Sequence, residues 1–211
     1  LRTVPDKVVI VGGGATGAEF AYLWNVYGAE VTIVEMQANI LPNEDEDISR
    51  LLQRSFEKQG IKVLTNAKID GAKLAKKGVT LEISTNGESS TIESNLVLIA
   101  AGVQANTENL GLEKVGVDLE KGFVKVDSKM STNIPGIKAI GDVTGIMLLA
   151  HVGMAQGVMA AELIAGQDSP PLQYQFMPRA TYCHPQVASF GLTEKEAKES
   201  GYDVKVGKFP F

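Results

Sequence analysis

The sequence has 211 residues, a net charge of −5 and a hydrophobic fraction of 44%, which is ordinary for a globular protein. Because it has no basic stripe to neutralise phosphates, we expect no nucleic-acid partner. No apolar run approaches the roughly 20 residues that span a bilayer, so we expect no membrane partner. The single cysteine, Cys183, excludes an internal disulfide and a Cys-x-x-Cys metal site. We therefore expect no metal and a reducing, cytoplasmic setting.

The first part of the chain alternates apolar strands with helices. The segment at 8–11 is apolar throughout, as is typical of a strand buried on both faces of a parallel sheet. The β-α-β-α-β order predicts an α/β fold with a doubly wound, Rossmann-like parallel sheet. The predicted strands are residues 8–11, 30–35 and 61–64, and the predicted helices are residues 15–27 and 44–59.

The pattern changes in the later part of the chain. Short alternating segments predict an antiparallel β-meander at 68–74, 79–84 and 90–93, followed by an apolar strand at 96–100. Beyond it, the sequence predicts strands at 123–126, 137–140, 180–183 and 187–190, helices at 149–165 and 193–200, and a last strand-like run at 203–209. We divide the chain into domains 1–103, 104–171 and 172–211.

A glycine motif joins the first predicted strand to the first predicted helix. Gly12 permits the tight turn, Gly14 leaves room for a pyrophosphate to approach the backbone, and Gly17 lets the helix pack closely on the sheet. The N–H groups and the positive dipole end of the helix then face the phosphates. The motif, in this context, predicts a dinucleotide site.

Two carboxylates qualify that prediction. Glu35 closes the next strand, where it can accept hydrogen bonds from ribose hydroxyls but would repel a 2′-phosphate, so we expect NAD(H) rather than NADP(H). Glu19 lies on the first turn of the helix. It either complements the helix N-terminus or lies near the nicotinamide, and the sequence leaves both open.

These stretches together resemble the pyridine nucleotide-disulfide oxidoreductases, along almost the whole chain. The motifs that carry the resemblance are the run from Gly12 to Glu19, Glu35, Leu41-Pro42, the strand end Leu98 to Gly102, Ile140-Gly141-Asp142-Val143, Leu149-Ala150-His151, and the run from Tyr182 to Glu194. The resemblance implies an NAD domain with the meander, part of an FAD domain, and the start of an α+β dimerisation domain.

The resemblance also implies a role for each candidate residue. Asp142 would accept a hydrogen bond from the ribityl chain of the flavin, and backbone N–H groups from Leu148 to His151 would face its pyrimidine edge. The implied flavin residues are Asp142, Leu148, Leu149, Ala150 and His151. The implied NAD residues are Gly12, Gly13, Gly14, Ala15, Thr16, Gly17, Ala18, Glu19, Glu35, Ile69 and Gly102.

The departures from the family pattern concern catalysis. Members begin with their own flavin-binding glycine motif and a redox-active Cys-x-x-x-x-Cys pair, and this chain contains neither of these two. They end with a catalytic His-Pro dipeptide followed by a glutamate. His184-Pro185 lies at the start of the expected dimerisation domain, with no carboxylate in residues 186–190 to orient the imidazole. We therefore expect a central piece of a larger enzyme, without catalytic residues of its own and inactive alone.

By resemblance, the parent passes electrons from dihydrolipoamide through a disulfide and FAD to NAD⁺, as a homodimer beside a 2-oxo-acid dehydrogenase complex. One alternative is a stand-alone NAD(H)-binding module, against which the implied flavin motifs argue. Another is a related flavoenzyme, such as mercuric reductase, a soluble transhydrogenase or an NADH-dependent disulfide reductase.

Overall fold

The fold is known from a computed structural model, which describes residues 1–210. The chain forms two compact units. Unit 1 comprises Leu1–Gly102 and the chain from Ala180 onward, and unit 2 comprises Val103–Arg179. The division of the sequence into three domains stays a prediction.

A four-stranded parallel sheet forms the centre of unit 1, which confirms the α/β prediction. Its strands are β1 (Lys7–Val11), β2 (Glu30–Val34), β3 (Lys62–Leu64) and β7 (Leu96–Ile99), and its helices are α1 (Ala15–Val26) and α2 (Glu46–Lys58). The strands lie in the order β3-β2-β1-β7. β1 pairs in parallel with β2 and β7, and β2 with β3.

The predicted meander is an antiparallel sheet of β4 (Ala67–Ala75), β5 (Gly78–Thr85) and β6 (Glu88–Ser94). Leu81 and Ile83 of β5 are buried in one cluster with Val9 and Val34 of the parallel sheet. Burial of these side chains anchors the meander on the sheet, since each fully buried aliphatic side chain contributes about 1.5–3 kcal/mol.

The last part of unit 1 packs on the same core as the parallel sheet. It contains β10 (Arg179–Thr181, which begins at the edge of unit 2), β11 (Val187–Ser189) and α5 (Glu194–Glu199). Cys183 and Val187 are buried in the cluster that holds Ala18 and Ala21 of α1. The segment therefore belongs to this core.

Unit 2 has little regular structure. It contains α3 (Leu112–Val115), the hairpin of β8 (Leu119–Glu120) and β9 (Phe123–Val124), and α4 (Ala150–Ile164). Two 3-10 helices, Gly141–Thr144 and Tyr174–Phe176, complete it.

Two strand predictions are wrong. Residues 137–140 form no strand and make one isolated antiparallel bridge, between Ser131 and Lys138. Residues 203–209 form no strand; they are exposed except for half-buried Val204, and an ion pair between Lys208 and Asp47 ties them to α2. The short segments alternate as strands do, but alternation alone does not supply a partner strand.

The glycine turn depends on a close approach between β1 and α1. A Cβ added to Gly17 would lie 1.9 Å from the carbonyl oxygen of Gly12, and one added to Gly12 would lie 2.4 Å from the carbonyl oxygen of Ala100. Gly12 also has a φ of +109°. Both contacts are with backbone, so no side-chain rotation can relieve them.

We predict that Gly17→Ala destabilises the chain by about 3 kcal/mol, because the added methyl group collides with backbone. The measurement is the free energy of unfolding in urea. Gly14→Ala is the matched control, since a Cβ there meets no atom within 4 Å, and its cost should stay below about 1 kcal/mol. Equal stability of the two variants would contradict the close approach.

Cys183 is a buried core residue, 4% exposed. Burial, and secondarily the nearby Glu19 carboxylate, raise the pKa of the thiol to about 11 from an ordinary value of 9.0. The thiol is therefore protonated at neutral pH, which makes it a poor nucleophile.

We predict that this thiol makes the folded chain less stable as pH rises. Between pH 9 and 11 the thiol has lost its proton in the unfolded chain but still holds it in the folded chain. The contribution of the thiol to the free energy of unfolding is therefore complete below pH 9 and is lost as the pH rises toward 11. The measurement compares urea midpoints at the two ends of this pH range for the unsubstituted chain and for Cys183→Ala. The unsubstituted chain should lose more stability than the variant as the pH rises. Equal losses would show that the pKa of the Cys183 thiol is not raised by folding.

Candidate functional site

Backbone hydrogen bonds hold the glycine turn of unit 1 in place. Gly12 N donates to Val34 O at 2.9 Å, and Leu41 N donates to Gly13 O at 2.8 Å. Gly14 is the N-cap residue of α1, and its carbonyl accepts from Ala18 N at 2.9 Å. The turn is therefore fixed to the end of β2 on one side and to the helix on the other.

Glu35 lies against this turn, as its position at the end of β2 predicts. Its side chain is buried, and one carboxylate oxygen accepts from Gly13 N at 2.6 Å while the other accepts from Gln37 N at 2.7 Å. An ionised carboxylate has about four acceptor positions, so two remain for hydroxyl donors. The structure thus joins the glycine turn and the acidic residue, and it adds a bond that the sequence did not reveal.

The space over the start of α1 is open. A Cβ at Gly14 would meet no atom within 4 Å, and Ala15 and Thr16 are exposed. The first N–H groups of a helix have no partner within the helix and carry the positive end of its dipole. An open surface of unpaired N–H groups fits a pyrophosphate.

The other predicted NAD residues lie in several different surroundings within unit 1. Gly17 and Ala18 are buried under it. Glu19 is half-buried, and its carboxylate accepts from Tyr182 N at 2.9 Å. Ile69 on β4 packs on the cluster of Val9 and Val34, and Gly102 is exposed, with a φ of +105°. A place for Glu19 beside the nicotinamide stays a prediction.

Two arginines near the chain after Glu35 were missed from the sequence. A depression of about 430 Å³ is lined by Arg50 and Arg54 of α2 together with Ala38 and Asn39. Arg50 pairs with Glu46. The signal was available: Arg50 and Arg54 are four residues apart and so share one face of the helix.

Unit 2 holds the predicted flavin residues. Asp142 is exposed at the start of the 3-10 helix, and with Leu148 it lines a pocket of about 320 Å³. Leu149 precedes α4, and Ala150 and His151 form its first turn, outside the lining of this pocket. The remaining lining residues are Val103, Gln104, Ala105, Asn106, Phe123 and Val143.

His184 of the His184-Pro185 dipeptide lies in unit 1. The imidazole of His184 is exposed, while its backbone carbonyl accepts from Gln59 Nε2 at 2.8 Å. Across residues 1–210, no three His, Cys, Asp or Glu side chains lie together as a metal site would require. Nor does any helix in that range have the length and apolar character needed to cross a membrane.

The sequence matches two known families. Residues 1–157 match the pyridine nucleotide-disulphide oxidoreductase family. Residues 177–211 match the dimerisation domain of the pyridine nucleotide-disulphide oxidoreductases.

Individual relatives agree with these matches. Dihydrolipoyl dehydrogenase of Mycobacterium leprae is 48% identical over the whole chain, and that of Chlorobaculum tepidum is 44% identical over the whole chain. The chain spans 45% of the length of each.

Solved structures show the same fold. LpdA from Mycobacterium tuberculosis is 31% identical with a TM-score of 0.88, over 96% of this chain and 44% of its own. The HOCl-induced flavoprotein disulfide reductase RclA from Escherichia coli is 28% identical with a TM-score of 0.86, over 96% of this chain and 46% of its own. The chain belongs to the pyridine nucleotide-disulphide oxidoreductase family.

Proposed function

We propose that this chain supplies the NAD site and part of the FAD site of a dihydrolipoyl dehydrogenase, which passes electrons from dihydrolipoamide through a disulfide and FAD to NAD⁺. The observation that carries the proposal is the open glycine turn held by Glu35. It has the geometry of a dinucleotide cradle, and it lies in a chain 48% identical to a protein of that name.

The nucleotide side depends on the N-terminus of α1. The N–H groups of Gly14, Ala15 and Thr16 would donate to the pyrophosphate, over the surface that Gly14 leaves open. Glu35 would accept from the two hydroxyls of the adenosine ribose with the lone pairs that Gly13 and Gln37 leave free. A 2′-phosphate in that place would meet a buried carboxylate, which favours NAD over NADP.

The flavin side depends on the two helix starts of unit 2. The exposed Asp142 carboxylate would accept from a ribityl hydroxyl. Backbone N–H groups from Leu148 to His151 would face the pyrimidine edge and stabilise the negative charge that develops there on reduction. When bound, the flavin relays electrons between the dithiol and the nicotinamide.

The parent enzyme would be a homodimer that serves a 2-oxo-acid dehydrogenase complex in the cytoplasm. The match of residues 177–211 to a dimerisation domain supports the homodimer. The similarity to dihydrolipoyl dehydrogenases supports the proposal of such a complex, and the single cysteine supports a reducing compartment.

The cofactor proposal predicts that the chain binds NADH at least tenfold more tightly than NADPH, about 1.4 kcal/mol. Glu35→Ala should lower this ratio to near one, because the carboxylate then no longer repels the phosphate. Titration by NADH fluorescence gives both affinities, and using their ratio cancels any general disturbance of the turn. Glu30→Ala, a carboxylate lost from the other end of β2, is the matched control and should leave the ratio unchanged.

NADPH binding equal to or tighter than NADH binding would overturn the cofactor proposal. Arg54→Ala then identifies the cause. If Arg54 holds the phosphate, this variant loses NADPH affinity and keeps NADH affinity.

The cradle proposal predicts that Gly14→Ala lowers NADH affinity by about tenfold or more, because the methyl group occupies the space that a pyrophosphate needs. Isothermal titration calorimetry with NADH, on the folded variant and on the unsubstituted chain, measures the change in affinity. An unchanged affinity would place the phosphates elsewhere.

The reaction itself is tested on the parent protein, expressed from its full-length coding sequence. We expect dihydrolipoamide-dependent NADH formation from it and none from the 211-residue chain, whose one cysteine cannot form the redox disulfide. Dihydrolipoamide-dependent turnover by the 211-residue chain alone would refute the proposal that the catalytic residues lie outside it. A full-length protein that does not oxidise dihydrolipoamide but reduces another disulfide with NADH would be a related flavoenzyme.

A further inference from the structure

We propose that Gln156 is a positioning residue for the flavin site, and that it holds the Gly141–Thr144 turn in the geometry that aims Asp142 at the ligand. This inference rests on the proposed function, because it concerns the flavin that unit 2 would bind. It assigns a role to a side chain of α4 that is not among the predicted flavin residues.

Gln156 is unusual because it is a polar side chain with no exposed surface, in the interior of a helix. Its carbonyl oxygen Oε1 accepts from Gly141 N at 2.6 Å. Its amide nitrogen Nε2 donates to the hydroxyl of Tyr174 at 3.0 Å. That hydroxyl donates in turn toward Met130 Sδ at 4.0 Å. Burial of a glutamine is favourable only when its groups find such partners.

The bond to Gly141 acts on the turn that presents Asp142. Gly141 N is the first N–H group of the 3-10 helix, where no intrahelical partner exists, and Gln156 supplies one. Within the turn, Thr144 Oγ1 donates to Gly141 O at 2.8 Å, and Gly145 N donates to Asp142 O at 3.0 Å. Gln156 therefore fixes the residue directly before Asp142, and the other bonds transmit that position along the turn.

The helix surface around Gln156 is shaped for the same contact. A Cβ added to Gly153 would lie 3.3 Å from Gly141 Cα, and one added to Gly157 would lie 3.3 Å from Ile140 Cδ1. Gly153, Gln156 and Gly157 lie on one face of α4 by their spacing. Two small residues bring the turn close, and the amide between them makes the hydrogen bond.

The alternative is that Gln156 only stabilises unit 2. A stability role lowers the free energy of unfolding without acting through Asp142. A positioning role makes the effects of Gln156 and Asp142 on flavin binding depend on each other, since both residues then act through one turn. The two roles therefore differ in a double-mutant cycle.

The test has one readout in the chain itself. We expect Gln156→Leu to speed hydrogen exchange of the Gly141 amide by about tenfold, because the leucine removes its acceptor. Gln167→Leu is the matched control: Gln167 is exposed in the same unit and should leave that rate unchanged. Equal exchange in the two variants would overturn the inference, whatever the protein binds.

The second readout is the rate at which FAD leaves the full-length holoenzyme, measured by flavin fluorescence well below the melting temperature. We expect Gln156→Leu to speed release by about tenfold. Gln156→Glu should stay near the parent rate, since a carboxyl oxygen still accepts from Gly141 N. The double variant Gln156→Leu with Asp142→Ala should release FAD little faster than Asp142→Ala alone. Additive effects, or a parent-like rate in Gln156→Leu, would overturn the inference.

Failure of this inference is distinguishable from failure of the proposed function. If Asp142→Ala speeds FAD release and Gln156→Leu does not, only the positioning role is wrong. If neither variant changes FAD release, the flavin site assigned to Asp142 is wrong, and the positioning role is wrong with it. Should Gln156→Leu fail to fold, Tyr174→Phe replaces it. That variant frees Nε2 and should speed release about threefold, against an unchanged rate if the network has no such role.

Discussion

The hydrogen bond from Gly13 N to the buried carboxylate of Glu35 is the constraint on which the proposed nucleotide site depends. It joins the turn after β1 to the end of β2, so one side chain sets both the shape of the cradle and the charge at its edge. With Gly13 N occupied, the open N–H groups are those from Gly14 onward, at the start of α1. A charge-assisted bond of this kind is roughly twice as strong as a neutral one, which suits a turn that must keep its shape without ligand.

Unit 2 uses the same device with an uncharged group. There, the buried amide of Gln156 holds the turn that carries Asp142, as Glu35 holds the turn that precedes α1. In both cases the group that would touch the ligand lies beside a glycine, and a side chain from a separate element fixes that glycine through its N–H. The two proposed binding surfaces are therefore set by packed elements behind them, as rigid sites require.

Local signals in the sequence were sufficient for the parallel sheet, the meander, the glycine turn and the position of Glu35. The apolar residues of β1 and the spacing of Gly12, Gly14 and Gly17 lie within a few residues of one another. They therefore predict the strand and the turn without any knowledge of residues distant in the sequence. The bonds that fix the sites join distant residues: 163 positions separate Glu19 from Tyr182, and 15 separate Gln156 from Gly141. The strand prediction for residues 203–209 is wrong for a similar reason. Alternation of apolar and polar residues does not show whether another strand is available to pair with the segment.

The most direct test of the nucleotide cradle is a titration of ¹⁵N-labelled chain with NADH, followed by the backbone amide signals. We expect the largest shifts at Gly13, Gly14, Ala15 and Thr16, with Gln37 also responding because it shares the carboxylate of Glu35. Shifts confined to residues outside this turn, or none at saturating NADH, would contradict the claim that the turn held by Glu35 binds the nucleotide.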